Sequence, residues 1–314
     1  MSRNEADMIR EFGMPRRGLV EAALLVALSR HGGVSGEFRE GEVLVDEIAA
    51  EFSLTSRQRS AKLVRFFNKG NRVIPSSLWL RVLYRAAEAL AKRQLLSRPT
   101  ETFRVTKKRE WMLTEMGLDE AIKLRNIPST EKESLPVASI EVQKLAEAIK
   151  NQPKPKCYDP IDTSKGTAVR KGECFLRTRG FRRAVVEAYG FRCAVCGLKI
   201  PSPTGLSWEV EAAHIVPSHA RGRDDIWNGL ALCRLHHWAF DVGWFTLNSD
   251  CQVQVSDEIH RLPPDCGVIG GYEFIKTFAM SPTRLYLPDR AEIHPDQAAI
   301  LWHRKYVFNR RQLR

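Results

Sequence analysis

The sequence predicts an α+β chain made of two units on either side of a polar joint. Three observations carry that reading. Apolar residues recur at helical spacing through residues 1–125, broken by short extended and basic stretches. Residues 126–170 turn polar and rich in Pro, Ser, Thr and Lys. From Cys174 onward His, Trp and Cys concentrate, and four of the eight histidines fall between His214 and His237. A length of 314 residues suits two domains at roughly 150 residues each.

In the first unit, Gly18–Ser29 places Leu19, Ala22, Ala23, Val26 and Ala27 at helical spacing, and Gly32-Gly33 stops the helix. Val43–Phe52 repeats the pattern with Val43, Ile48 and Phe52. A third helix is expected over Ser76–Leu90, after Pro75, with Ser76 or Ser77 as its N-cap. Its apolar stripe is Leu78, Val82, Leu83, Ala86, Ala89 and Leu90. Arg81, Arg85, Lys92 and Arg93 lie mostly off that stripe. Phe103-Arg104-Val105 and Trp111-Met112-Leu113 read as two short strands around the basic loop Lys107-Lys108-Arg109. Thr114, Glu115 and Gly117 then open a last short helix. Three helices followed by a basic hairpin outline a winged helix, placed over 1–125. This segment carries 23 Lys or Arg against 16 Asp or Glu.

Residues 126–170 read as a linker. Pro128, Ser129, Thr130, Ser134 and Pro136 open it, a small amphipathic helix spans Ile140–Ile149, and Pro153-Lys154-Pro155-Lys156 and Asp159-Pro160 are extended. No apolar run reaches the roughly 18–20 residues that a membrane span needs, so no membrane partner is expected. Met1–Gly13 is charged and lacks the apolar core of a signal peptide, which makes the cytoplasm the expected location. The net charge of +12 suits a phosphate-backbone partner such as double-stranded DNA. Seven cysteines cannot form a complete disulfide framework, and paired cysteines in a cytosolic chain more often hold metal.

The second unit, 171–314, carries the chemistry. Cys193-x-x-Cys196 and Cys233-x-x-His236 are two ligand pairs with zinc-site spacing, a Cys₃His set for a structural zinc ion. The other reading of these residues is a pair of buried thiols and a surface histidine. A second set is catalytic in character. His214 ends an apolar strand-like run, Asn228 heads Gly-Leu-Ala-Leu, and His237 and Asp241 lie four apart on one helix face. Phosphodiester hydrolysis needs a water nucleophile activated and the phosphate and leaving oxygen neutralised. A neutral His supplies the first and a hard divalent cation the second.

The segment resembles the HNH endonucleases, the ββα-metal nucleases. The matching residues are Cys193-x-x-Cys196, His214 after a strand, and Asn228-Gly-Leu-Ala-Leu-Cys233-Arg-Leu-His236-His237, with His236 in place of the family's fourth Cys. Ala212-Ala213-His214-Ile215, Asn228-Gly229 and Phe240-Asp241-Val242-Gly243 resemble the subtype of restriction endonucleases. The tail Leu285–Pro288 and Leu301–Arg304 resembles it too, and the resemblance covers roughly 175–310. It implies His214 as general base, Asn228 as the residue that orients the His214 loop, and His237 as ligand to catalytic Mg²⁺ or another divalent ion. Many family members carry Asp or His just before the base, where this chain has Ala213. Asp241 is the substitute ligand. Glu211, three before His214, either supports the site or is a strand surface charge.

The N-terminal outline resembles the winged helix of Mrr-type restriction proteins. The cues are the Gly18–Ser29 and Leu78–Leu90 helices, Leu54-Thr55, Leu95–Pro99 and Leu113–Gly117. That resemblance implies DNA contacts from Arg81, Arg85, Lys107, Lys108 and Arg109, while Arg179, Arg182 and Arg183, just ahead of the nuclease site, are expected to hold the phosphate backbone. The expectation is therefore a zinc-stabilised, metal-dependent DNA endonuclease of bacterial restriction or defence, with modified DNA among its conceivable targets. One such site cuts one strand, so a double-strand cut needs a homodimer or two nicks. A DNA-binding regulator or scaffold that keeps the fold without activity is the alternative that Ala213 leaves open.

Overall fold

The computed structural model describes residues 5–67, 72–163, 171–263, 268–269, 272–273 and 284–309. The chain divides into two compact units, Met1–Gln143 and Lys144–Arg314.

The first unit runs α1 (Glu5–Glu11), α2 (Arg17–Arg30), β1 (Val34–Ser35), α3 (Val43–Glu51), α4 (Ser56–Arg59), β2 (Lys62–Phe67), β3 (Arg72–Ser77), α5 (Leu78–Lys92), β4 (Leu96–Ser97), α6 (Pro99–Thr106), β5 (Trp111–Leu113) and α7 (Glu115–Leu124). Strand β5 lies between β1 and β4, antiparallel to both. Helix α2 is apolar on most of its circumference, and Val20, Leu24 and Leu28 are fully enclosed. Helix α5 buries Leu78, Leu83, Ala86 and Leu90 along the stripe read from the sequence.

Two sequence expectations change here. The third helix opens at Leu78, because Ser76 and Ser77 are still in β3, opposite Leu63 and Lys62. Ser77 is its N-cap, its hydroxyl accepting from Leu80 N–H. Phe103-Arg104-Val105 is helical. Pro99 suits the first helical turn, Glu101 accepts from Arg98 N–H at 3.3 Å, and Thr102 bonds Ser97 with no exposed surface. These caps outweigh the β-propensity of Phe and Val, and the strand beside β5 is Leu96–Ser97 instead.

The polar joint carries a 3₁₀ turn at Ser129–Ser134 and α8 (Ile140–Asn151). Val137 belongs to the first core, whereas Ala146 and Ile149 belong to the second. The second unit continues with α9 (Lys171–Ala188), β6 (Val210–His214), β7 (Gly229–Cys233), α10 (Arg234–Asp241), β8 (Phe245–Leu247), β9 (Val253–Val255) and α11 (Gln297–His303). Its core is built from Phe181 and Val185 of α9, Leu230–Leu232 of β7, Phe240 and Phe245. No helix among the described residues is long and apolar enough to cross a membrane.

Candidate active site and metal centre

The antiparallel pair β6–β7 sets two sites at opposite ends of one hairpin. Val210 faces Cys233 at one end and His214 faces Gly229 at the other. Helix α10 starts at the Cys233 end and runs back over the hairpin. Its eight residues advance about 12 Å, close to the roughly 13 Å that β7 covers in four steps. Asp241 is thereby returned toward His214.

At the Cys233 end, the ligand atoms of Cys193, Cys196, Cys233 and His236 all lie within 4.8 Å of one another. Cys196 Sγ to Cys233 Sγ is 3.9 Å, Cys193 Sγ to His236 Nδ1 is 3.7 Å, and Cys233 Sγ to His236 Nδ1 is 3.1 Å. A tetrahedral zinc site has edges of about 3.8 Å between sulfurs and about 3.5 Å between sulfur and nitrogen. The quartet therefore fits a zinc ion in both donor chemistry and spacing. The alternative with a surface histidine is excluded, because His236 is 2% exposed. The hydrogen bonds that Cys196 and Cys233 give to Cys193 draw its thiol far below the ordinary range, and the same contacts push Cys233 up. Burial alone would lower His236, but the sulfurs of Cys193 and Cys196 outweigh it and raise the ring to about 9. The knuckle is tied to the hairpin through Ala194 N–H to Ala231 O at 2.7 Å and is closed by Gly197 N–H to Cys193 O at 2.9 Å.

At the other end, His214 Nε2 pairs with Asp224 Oδ1 at 2.9 Å, and its ring stacks on Phe181 of α9 at 4.0 Å between centroids. A carboxylate only accepts, so Asp224 places the ring proton on Nε2 and leaves Nδ1 as the basic nitrogen. Asn228, fully buried, clamps the intervening loop. Its Oδ1 accepts from Val216 N–H at 2.8 Å, and its Nδ2 donates to Val216 O at 3.0 Å and Arg223 O at 2.9 Å. Two glycines are required by close approach. A Cβ on Gly222 would sit 1.7 Å from Val216 O, and one on Gly229 would sit 2.4 Å from Val185 Cγ2.

His237 lies between two carboxylates. Its Nδ1 is 3.1 Å from Glu211 Oε2 and its Nε2 is 3.6 Å from Asp241 Oδ2. Burial raises the Asp241 carboxyl above its usual range, opposed by the charges of His237, His214 and His219. Arg234 Nε also reaches Glu211 at 3.3 Å. Ala213 is fully buried, and its methyl side chain offers no ligand.

Three residues that shape this site had no assigned role in the sequence reading. Asp224 holds His214. Asp225 Oδ1 accepts from Asn228 N–H at 3.2 Å and from Tyr158 OH at 2.8 Å. The Asp224-Asp225 pair beside Asn228 was the available signal; nothing marked Tyr158, which is 67 residues away. Among the basic candidates, Arg81 and Arg85 both contact the buried Glu5 carboxylate, while Lys107, Lys108 and Arg109 are exposed. Arg179 is buried on α9, Arg182 is exposed, and Arg183 pairs with Glu187.

Residues 193–248 match a family model described as HNH endonuclease. This stretch is an HNH endonuclease domain. The matched range begins at the first zinc-type cysteine and contains His214, Asn228, His237 and Asp241. No curated protein matches the chain. A solved structure titled "Modification dependent TagI restriction endonuclease" is similar, at 22% identity and a TM-score of 0.30. The likeness covers 48% of this chain and 44% of that one, less than half of either.

Proposed function

We propose that this protein is a metal-dependent DNA endonuclease of restriction type, its HNH domain cutting the phosphodiester and its N-terminal unit holding the duplex. The observation that carries the reading is the His214–Asp224 pair, held by the Asn228 clamp at the loop end of the hairpin. With Nδ1 basic, His214 accepts a proton from the attacking water. Asp224 keeps the ring in that tautomer and stabilises the imidazolium that forms. Phe181 fixes the ring plane. His237 and Asp241, an imidazole and a carboxylate 3.6 Å apart, are the residues that would hold a divalent cation. A cation held there, Mg²⁺ or another divalent metal, would supply charge neutralisation at the phosphate and leaving oxygen.

The targeting half of the proposal rests on the first unit. A cleft of about 880 Å³ between α2 and α5 is lined by Arg17, Arg81, Arg85, Lys92 and Arg93, against Glu21 and Glu88. Glu21 bridges Arg17 and Arg93, and Glu5 bridges Arg81 and Arg85, so each carboxylate is shared by two cations and the cleft stays positive. A winged helix would present this outward face of α5 to DNA, and that topology is part of the proposal. The restriction and defence setting rests on the resemblance of the 212–243 signature.

The test is cleavage of unmodified and base-modified duplex DNA by the purified full chain with Mg²⁺ or Mn²⁺, beside His214→Ala and with RNA as competitor. Cleavage lost in the variant supports the nuclease, and restriction to modified DNA supports the modification-dependent form. Binding without cleavage under any divalent metal would favour the regulator reading, to which the buried Ala213 adds weight.

A further inference from the structure

The outward face of α10 is divided along its length. At 100° per residue, His237 and Asp241 form one row, and Arg234, Trp238 and Val242, four apart, form the row beside it. The opposite face, with His236, Ala239 and Phe240, is buried. Trp238 and Val242 are each 54% exposed and belong to neither core, although Trp is the side chain that gains most from burial. The Arg234 side chain is 74% exposed at the end of the same row and pairs with Glu211, which also contacts His237. An apolar ridge, a cation and the candidate metal ligands thus share one solvent-facing surface.

We propose that Trp238, backed by Val242, contacts the sugar and base faces of the strand next to the scissile phosphate, with Arg234 on a neighbouring phosphate. This rests on the nuclease reading above. The occupant follows from continuity. Whatever brings a phosphodiester to His237 and Asp241 covers the adjacent row, one helical row away. A nucleic-acid strand offers what that row needs, flat apolar faces alternating with anionic groups. The contact is sequence-tolerant, because every base has a π-face. It holds the backbone at a set depth over the hairpin and leaves base readout to other surfaces.

Exposure makes Trp238 removable without disturbing the fold, so Trp238→Ala and Trp238→Phe are compared in the full chain, with thermal midpoint and zinc content as controls. Trp238→Ala is expected to raise KM, and Kd for a fluorescent duplex, about ten-fold, near the low end of one base–aromatic stack. kcat stays within about three-fold, and Trp238→Phe stays near wild type. A duplex carrying 5-iodouracil is expected to photocrosslink to the peptide that contains Trp238. Unchanged KM and Kd in Trp238→Ala, with crosslinks elsewhere, would overturn the ridge and leave the nuclease intact. A crosslink at Trp238 with no cleavage by wild type would overturn the nuclease reading and leave the ridge standing.

Discussion

His236 and His237 are neighbours in sequence and opposites in setting. His236 is 2% exposed and sits among three sulfurs, while the His237 side chain is 25% exposed and sits between Glu211 and Asp241. One residue step on α10 turns the side chain by 100°, enough to carry it from the core face to the solvent face. The difference between closed and open sites follows. A site whose four positions are all filled by protein atoms can only hold structure. In the proposed nuclease, a site with two protein ligands and open solvent can admit a phosphate. The two sets share the hairpin, so in the proposed nuclease the closed one fixes the frame that holds the open one.

The strongest way to break this comparison is to remove the closed site. Cys193→Ser, or prolonged chelation, is expected to unfold the HNH domain, since structural zinc contributes on the order of 10 kcal/mol in small metal domains. Metal analysis should find one zinc per chain in the wild type and substantially less in the variant. Thermal unfolding should lose the transition of the second unit. The open site should respond in the opposite manner. Asp224→Asn leaves the fold standing but no longer dictates the His214 tautomer, and a drop in cleavage of about 10²–10⁴-fold is expected. A variant that cuts normally would sever Asp224 from the mechanism, and one that unfolds would make it structural.

Much of this division was legible in the sequence. The spacings Cys193-x-x-Cys196 and Cys233-x-x-His236 brought out the closed quartet, because a ligand pair on a tight turn is a local feature. The 237/241 pair was legible for the same reason, as helix geometry is fixed over four residues. Asp224 and Tyr158 were not legible in their roles. Both reach their partners across loops, where no periodicity constrains where a side chain goes. In the first unit the stripe of α5 was plain, but Phe103–Val105 read as strand. Its intrinsic preference was overridden by the caps around Arg98, Glu101 and Thr102.

A third histidine sharpens the contrast with His236. His303 of α11 is buried and neutral. Its Nε2 donates to Phe240 O at 3.0 Å, Nδ1 accepts from Thr246 Oγ1 at 2.9 Å, and the ring stacks on Phe240. Burial lowers its pKa to about 4. Between about pH 6.5 and pH 4 the unfolded chain therefore binds a proton that the folded chain does not. Stability rises with pH through that window and is lost as pH falls, by up to about 3 kcal/mol. Denaturant midpoints between pH 7 and pH 4 should fall in the wild type. The fall should be shallower in His303→Gln, which keeps a polar group without a titrating proton.

The mildest test concerns Glu211. Its carboxylate meets both His237 and Arg234, yet the pairing is half-exposed, and such pairs contribute about 0–1 kcal/mol to stability. Glu211→Gln should leave the thermal midpoint nearly unchanged. A surface charge alone would also leave cleavage unchanged. If Glu211 orients the His237 ring, the variant should need more divalent metal to reach half-maximal rate, by a few-fold, with its metal-saturated rate close to wild type. A metal titration of the cleavage rate separates these outcomes. An unchanged half-maximal metal concentration would return Glu211 to the strand surface and leave Asp241 as the carboxylate that matters to His237.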